Sequence, residues 1–251
     1  MNILKTYAVA TSEPDQFLVY WTNSPVNPRG VLKIRITANI EDRAIAAELA
    51  AVKHLLDQKC VLGQKLVGNA GIRISVSSGA IRKLMLRKSN KMHLIPFAQF
   101  LTTRYAGCQL SVSKDKRWFE GFVPNAVEDL LVSRPQFETI HVRGIGDVIV
   151  TQHILDRFAE RFLYDTPLDK RTSMAWRKLV ELASDSGVHE VSRLSPWADM
   201  RNIESGKREA RYCLNPNKKR ILVITDNPKE GKRLVTTYPA SPYFKALRKA
   251  A

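Results

Sequence analysis

Val31–Asp57, VLKIRITANIEDRAIAAELAAVKHLLD, changes its hydrophobic period partway along, and the first half of the chain is organised around that change. Residues 31–38 alternate, with Val31, Lys33 and Arg35 on one face and Leu32, Ile34 and Ile36 on the other. This predicts a half-buried strand with cations on its exposed side. From about residue 42 to 57 the apolar positions Ile45, Leu49, Val52 and Leu56 follow helical spacing, and Asn39 or Asp42 supplies the N-cap. Glu48 lies in the middle of this alanine-rich helix. Upstream, residues 3–10 and 17–22 read as short strands, and NSPVNPRG, residues 23–30, has turn chemistry throughout. Downstream, residues 72–77 read as a strand leading into a basic helix, and QLSVSK, residues 109–114, as another strand. NAVEDLLVSRP reads as a short helix ended before Pro135.

The totals narrow the class of partner. The 251 residues are 44% hydrophobic and 25% charged, a globular composition, with a formal net charge of +16. Such an excess favours a polyanion through counterion release. There is no transmembrane run, no lipidation signal and no long amphipathic basic helix, so a membrane partner is not expected. Cys60, Cys108 and Cys213 are scattered and odd in number, with neither metal-ligand nor disulfide spacing. The N-terminus lacks the apolar core of a signal peptide. A reducing cytoplasm is the expected setting, and neither a metal nor a cofactor is expected.

Between Asp57 and Asp115 there is no acidic residue, while Lys59, Lys65, Arg73, Arg82, Lys83, Arg87, Lys88, Lys91, Arg104 and Lys114 fall in that window. Ordinary soluble surfaces mix signs. Arg73, Arg82, Lys83, Arg87, Lys88, Lys91 and Arg104 are therefore candidate nucleic-acid contacts. His93, Phe97, Phe100 and Tyr105 follow closely, a pattern suited to single strands, whose phosphates pair with cations and whose bases stack. Phe97, Phe100 and Leu101 also read as core. Trp118 and Phe119 lie in a turn-rich stretch and read as exposed.

A composition shift at SRPQFETIHVRGIGD marks the domain boundary: residues 1–133, a linker at 134–147, and residues 148–251. In the second part, TQHILDRFAERF, residues 151–162, predicts a helix with two stripes. His153, Arg157 and Arg161 share one face, and Ile154, Phe158 and Phe162 the adjacent one. Two fixed guanidinium groups and an imidazole suit a phosphodiester. A second helix at about 172–185 is capped by Thr172 or Ser173 and buries Trp176, Leu179, Val180 and Ala183. Strands are expected at 188–194, 210–214, 220–225 and 233–239. Two helices followed by antiparallel strands give an α+β arrangement. The tail, SPYFKALRKAA, reads as a short basic helix.

Strand–turn–strand–strand–helix, with LVYWTNSPVNPRG at one end and AAELAAVKHLL at the other, resembles the start of the ribonuclease H fold over residues 16–115. The resemblance implies a mixed α/β domain with a Glu at position 48. It puts the family's other carboxylates at Asn23 and at Ser77 or Ser78, where this chain has none. Two-metal phosphodiester cleavage needs several carboxylate oxygens around Mg²⁺, so a ribonuclease H-like domain here is expected to be non-catalytic. Residues 147–240 resemble the metal-independent endoribonuclease superfamily of barnase, the colicin E5 and D nucleases and the RelE toxins. More closely they look like its phage and mobile-element branch, through Thr151, His153, Arg157, Phe158, Arg161 and Phe162 and then Val235, Thr236, Tyr238 and Pro239. That likeness implies a phage-encoded protein working in a host cytoplasm. It also implies transesterification by the RNA 2′-hydroxyl, with His153 as general base or acid and Arg157 and Arg161 stabilising the phosphorane. Tyr238, Thr236 or Arg211 adds a contact from the sheet, and His189 is the other histidine of residues 147–240.

Three functions fit these residues. One is an RNA-binding, non-catalytic protein, preferring single strands and open to single-stranded DNA, with a basic surface spanning both domains and including Arg157, Arg161 and Arg211. Another is a metal-independent endoribonuclease acting through His153, Arg157, Arg161 and Tyr238. A third is an adaptor that assembles on a nucleic-acid-rich body.

Overall fold

The computed structural model describes residues 2–24, 29–63, 71–124, 126–191, 210–227 and 231–240. The chain divides into two compact units, residues 1–137 and 138–251. Each unit pairs one six-stranded sheet with helices, a mixed α/β architecture.

In the first unit, β1 (Asn2–Ala10), β2 (Gln16–Thr22) and β3 (Gly30–Ile36) form an antiparallel meander. Helix α1 (Arg43–Asp57) follows, then β4 (Ile72–Val76) parallel to β1. Helices α2 (Gly79–Met85) and α3 (Ile95–Thr102) lead to β5 (Gln109–Val112), parallel to β4. Finally β6 (Val127–Val132) runs parallel to β3, so the sheet order is β5-β4-β1-β2-β3-β6. Alternation decides which face is inside. Leu4, Phe17, Val19, Leu32, Ile34, Ile72 and Ile74 join Leu49, Val52, Leu55 and Leu56 of α1 in one core. Phe97, Phe100 and Tyr105 belong to that core region as well. Gly30 stands opposite Trp21, and a Cβ there would lie 2.9 Å from the indole Nε1.

The expected helix over NAVEDLLVS is strand β6 instead. A segment this short, VEDLLV, cannot be assigned by period alone. Pairing with β3 settles it, with Glu128, Leu130 and Val132 beside Leu32, Ile34 and Ile36.

The expected 134–147 linker is likewise largely ordered structure. Strands β7 (Thr139–Val142) and β8 (Gly146–Ile149) form a hairpin that buries Ile140, Val142 and Val148 in the second core. The glycines that suggested a linker make its turn, Gly144 and Gly146 having φ of 75° and 94°, which L side chains rarely adopt. Helix α4 (Gln152–Phe162) buries Ile154, Leu155, Phe158 and Ala159. Helix α5 (Leu168–Ser184) starts after Pro167, a turn earlier than the Thr172 or Ser173 cap expected, and the Ser173 hydroxyl donates to the Lys170 carbonyl within the helix. Strands β9 (His189–Val191), β10 (Ala210–Asn215), β11 (Arg220–Asn227) and β12 (Gly231–Pro239) complete the order β7-β8-β12-β11-β10-β9. The basic tail lies outside the described residues, as do residues 192–194 of the expected 188–194 strand.

Gly30→Ala is expected to lower unfolding stability by roughly 1–3 kcal/mol, because the indole packed over it has to move. Denaturant melts of the two proteins measure this directly.

Candidate nucleic-acid interface

Among the described residues of the first unit, Glu48 is the fully buried carboxylate. Glu48 faces inward from α1 and is 0% exposed. Its Oε1 accepts from the Ser77 backbone N–H at 2.6 Å and the Thr6 hydroxyl at 3.0 Å, and its Oε2 accepts from the Ser77 hydroxyl at 2.6 Å. Burial pushes its pKa up, and the hydrogen bonds from Ser77 and Thr6 oppose that only in part. Of the positions implied by resemblance, Ser77 does meet Glu48, whereas Asn23 does not. The Asn23 amide donates to the Val61 carbonyl at 2.7 Å, and β1 supplies Thr6 in its stead. Ser78 caps α2, accepting from the Ala80 N–H. One saturated carboxylate between two hydroxyls offers no set of anionic oxygens for a hard cation. Among the described residues, the one group with ligand atoms within 4.8 Å of one another is Glu41, Asp42 and His93. Asp42 there is engaged by Lys91 at 2.7 Å and His93 at 3.1 Å.

The cations of the acid-free window sort into two sets. Arg82 and Lys83 project from the outer side of α2, whose Ile81 and Leu84 face the core, and Lys88 follows in the exit turn. Arg73 is exposed on β4. Among the described residues these four have no carboxylate partner. Arg87 is exposed beside them with a left-handed backbone, φ 56°. The other set is neutralised. Lys91 is paired with Asp42. Arg104, its side chain 17% exposed, is held by Asp57 at 2.9 Å and lies over the Tyr105 ring. Arg104 is therefore a structural residue, since a buried pair resists being opened.

A third group had only partial sequence signals. The sheet face opposite α1 carries Lys5 and Tyr7 on β1, Tyr20 on β2 and Arg73 on β4, as the strand registers require. The segment after β5 reaches this face. There Phe119 stacks on Tyr20 with centroids 4.3 Å apart and planes at 19°, and also meets Tyr7 at 5.2 Å. Lys5 sits over Trp118 and Lys116 over Tyr7. The alternation of Lys5 with Tyr7 and of Leu18 with Tyr20 was the available clue. Phe119, expected to be exposed, is 8% exposed.

In the second unit, His153 is exposed and makes no hydrogen bond or ion pair among the described residues. Arg157 is paired with Glu160 at 3.3 Å. Arg161 reaches β12, donating to the Thr236 hydroxyl at 2.9 Å and the Thr237 carbonyl at 2.7 Å, and lies over the Tyr238 ring at 5.1 Å. The register of β12 against β11 slips between Val223 and Ile224, because Thr236 faces Val223 while Leu234 faces Ile224. The extra residue, Val235, turns Leu234 into the core and Thr236 and Tyr238 to the other face, a common use of a bulge. Arg211 is closed by Glu190 at 2.7 and 2.8 Å, which removes it from the open cations. His189 lies on β9, separated from β12 by two strands, and strands are spaced roughly 4.8 Å apart. It thus stands off the Arg161–Tyr238 cluster, and its Nδ1 faces the Gly187 carbonyl.

Compared with known proteins, the chain matches no family model, no curated protein and no solved structure. No helix among the described residues is long and apolar enough to cross a membrane.

Because the native Glu48 pKa lies above its unfolded value, the native state binds the extra proton in the interval between them. Stability from this group is greatest below the unfolded pKa and is lost as pH rises through the native one. The stability difference between wild type and Glu48→Gln is therefore expected to shift against wild type as pH rises across that interval. Urea melts over a pH series measure it, and a pH-independent difference would contradict the raised pKa.

Proposed function

We propose that this protein binds RNA, with a preference for single strands, and that its first unit is a ribonuclease H-like scaffold without metal chemistry. The observation that carries the binding reading is the cluster of exposed Arg82, Lys83 and Lys88 around α2, joined by Arg73 on the sheet face opposite α1, all lacking carboxylate partners among the described residues. Unpaired fixed cations gain most from phosphate, because no internal ion pair has to be broken first. The scaffold reading is supported by an antiparallel β1–β2–β3 meander followed by a helix and a parallel β4, with Glu48 brought to the end of that strand. The saturation of Glu48 by Ser77 and Thr6 argues for binding rather than metal-dependent cleavage.

An endoribonuclease in the second unit is the alternative, and one observation favours it. Arg161 of α4 and Thr236 and Tyr238 of β12, far apart in sequence, converge on one strand of the sheet. Against it, Arg161 is already engaged, Arg157 is paired with Glu160, and His153 has no orienting partner among the described residues. A barnase-like second unit rests on the order of two helices followed by antiparallel strands.

Affinity for labelled single-stranded RNA is expected to fall with salt at a logarithmic slope of about −3, as four single-strand phosphate contacts require. The Arg82→Ala, Lys83→Ala, Lys88→Ala triple variant is expected to flatten that slope by about 2. A salt-independent affinity would remove the electrostatic reading. In the same gels with EDTA the RNA is expected to stay intact. Cleavage that disappears in His153→Ala would establish the alternative.

A further inference from the structure

We propose that the face of the first sheet opposite α1 is a base-stacking site for single-stranded RNA, and that Phe119 occupies it in cis as a displaceable stand-in for a base. This rests on the RNA-binding reading above and adds where a base would sit and what it must displace.

Topology brings the occupant there. Strands β5 and β6 lie on opposite edges of the sheet, yet they are consecutive in the chain. The connecting residues must therefore traverse the whole sheet, five strand spacings or roughly 24 Å. The ring contacts show them doing so across the open face. Phe119 lies nearly parallel on Tyr20, at the separation a stacked base would adopt, with Tyr7 tilted against its flank. Lys5 and Lys116 lie over neighbouring rings, and Arg73 is on the same face, one strand away from β1. Aromatic rings on an open sheet among cations are a recurrent surface for stacking splayed bases.

Two groups are poorly served while the strap is docked. The Trp118 indole Nε1 is buried and has no hydrogen-bond partner among the described residues, and an orphaned buried donor is costly. The Lys5 ammonium lies over the Trp118 ring, and burial lowers its pKa, which the nearby Asp115 carboxylate offsets only in part. An incoming nucleotide answers both needs, with a carbonyl or phosphate oxygen to accept from the indole and a negative charge for Lys5.

The test measures binding of a short fluorescein-labelled oligouridylate, and of an RNA duplex of matched length, to wild type and variants. Phe119→Ala removes the competitor and is expected to bind the single strand about three- to tenfold more tightly, with duplex affinity unchanged. Adding Tyr20→Ala to it is expected to reverse that gain by about fivefold or more. Trp118→Phe keeps the ring packing but deletes the orphaned donor, so the strap docks more firmly and oligouridylate binds several-fold more weakly. This variant also serves if Phe119→Ala does not fold. Wild-type binding with unchanged affinities in Phe119→Ala and Trp118→Phe would overturn the strap proposal and leave the RNA reading standing. No retention of either RNA by any of the proteins would overturn both.

Discussion

Glu48 ties three parts of the first unit together. Its carboxylate joins α1 to the end of β4 through Ser77 and to β1 through Thr6, inside a core of aliphatic side chains. A buried charge is costly unless its oxygens are filled. Three donors at 2.6–3.0 Å fill them here. The same satisfaction settles what the carboxylate is free to do. Oxygens committed to a hydroxyl, a second hydroxyl and a backbone N–H are not free to hold a cation. This corner of the sheet pins a helix.

With that corner closed, the chemistry of the unit moves outward to its cations and rings. A net charge of +16 says little about where charge is usable. The folded chain pairs Arg104 with Asp57, Lys91 with Asp42 and Arg211 with Glu190, and so withdraws them from any polyanion. Arg73, Arg82, Lys83 and Lys88 keep their charge turned to solvent. Near the strand face, Lys5 and Lys116 sit over aromatic rings. That arrangement holds cations in fixed positions without neutralising them.

The second unit shows how one extra residue determines which groups meet. The bulge at Val235 sends Leu234 into the core and turns Thr236 and Tyr238 to the other side, where Arg161 can reach the strand. Only one residue pair, Arg233 with Ile149, joins β8 to β12. The Arg161 bond to the Thr237 carbonyl thus occupies part of the strand edge that β8 leaves uncovered.

Local pattern in the chain was enough for β1 to β5, α1, α4 and the late strands, because each is an apolar β-favouring run or an amphipathic period bounded by turn residues. The excess of cations and the acid-free window were likewise legible as composition. Three things were not. The segment at 127–132 fits either period, and pairing with β3 decides it. The glycines at 144 and 146 looked like a linker until the hairpin gave them a turn to make. Which cations remain open, and which of Thr6 or Asn23 stands beside Glu48, depends on contacts between residues far apart in the chain. A linear sequence fixes which faces must be buried, but only the tertiary structure brings particular donors, acceptors and rings within reach of one another.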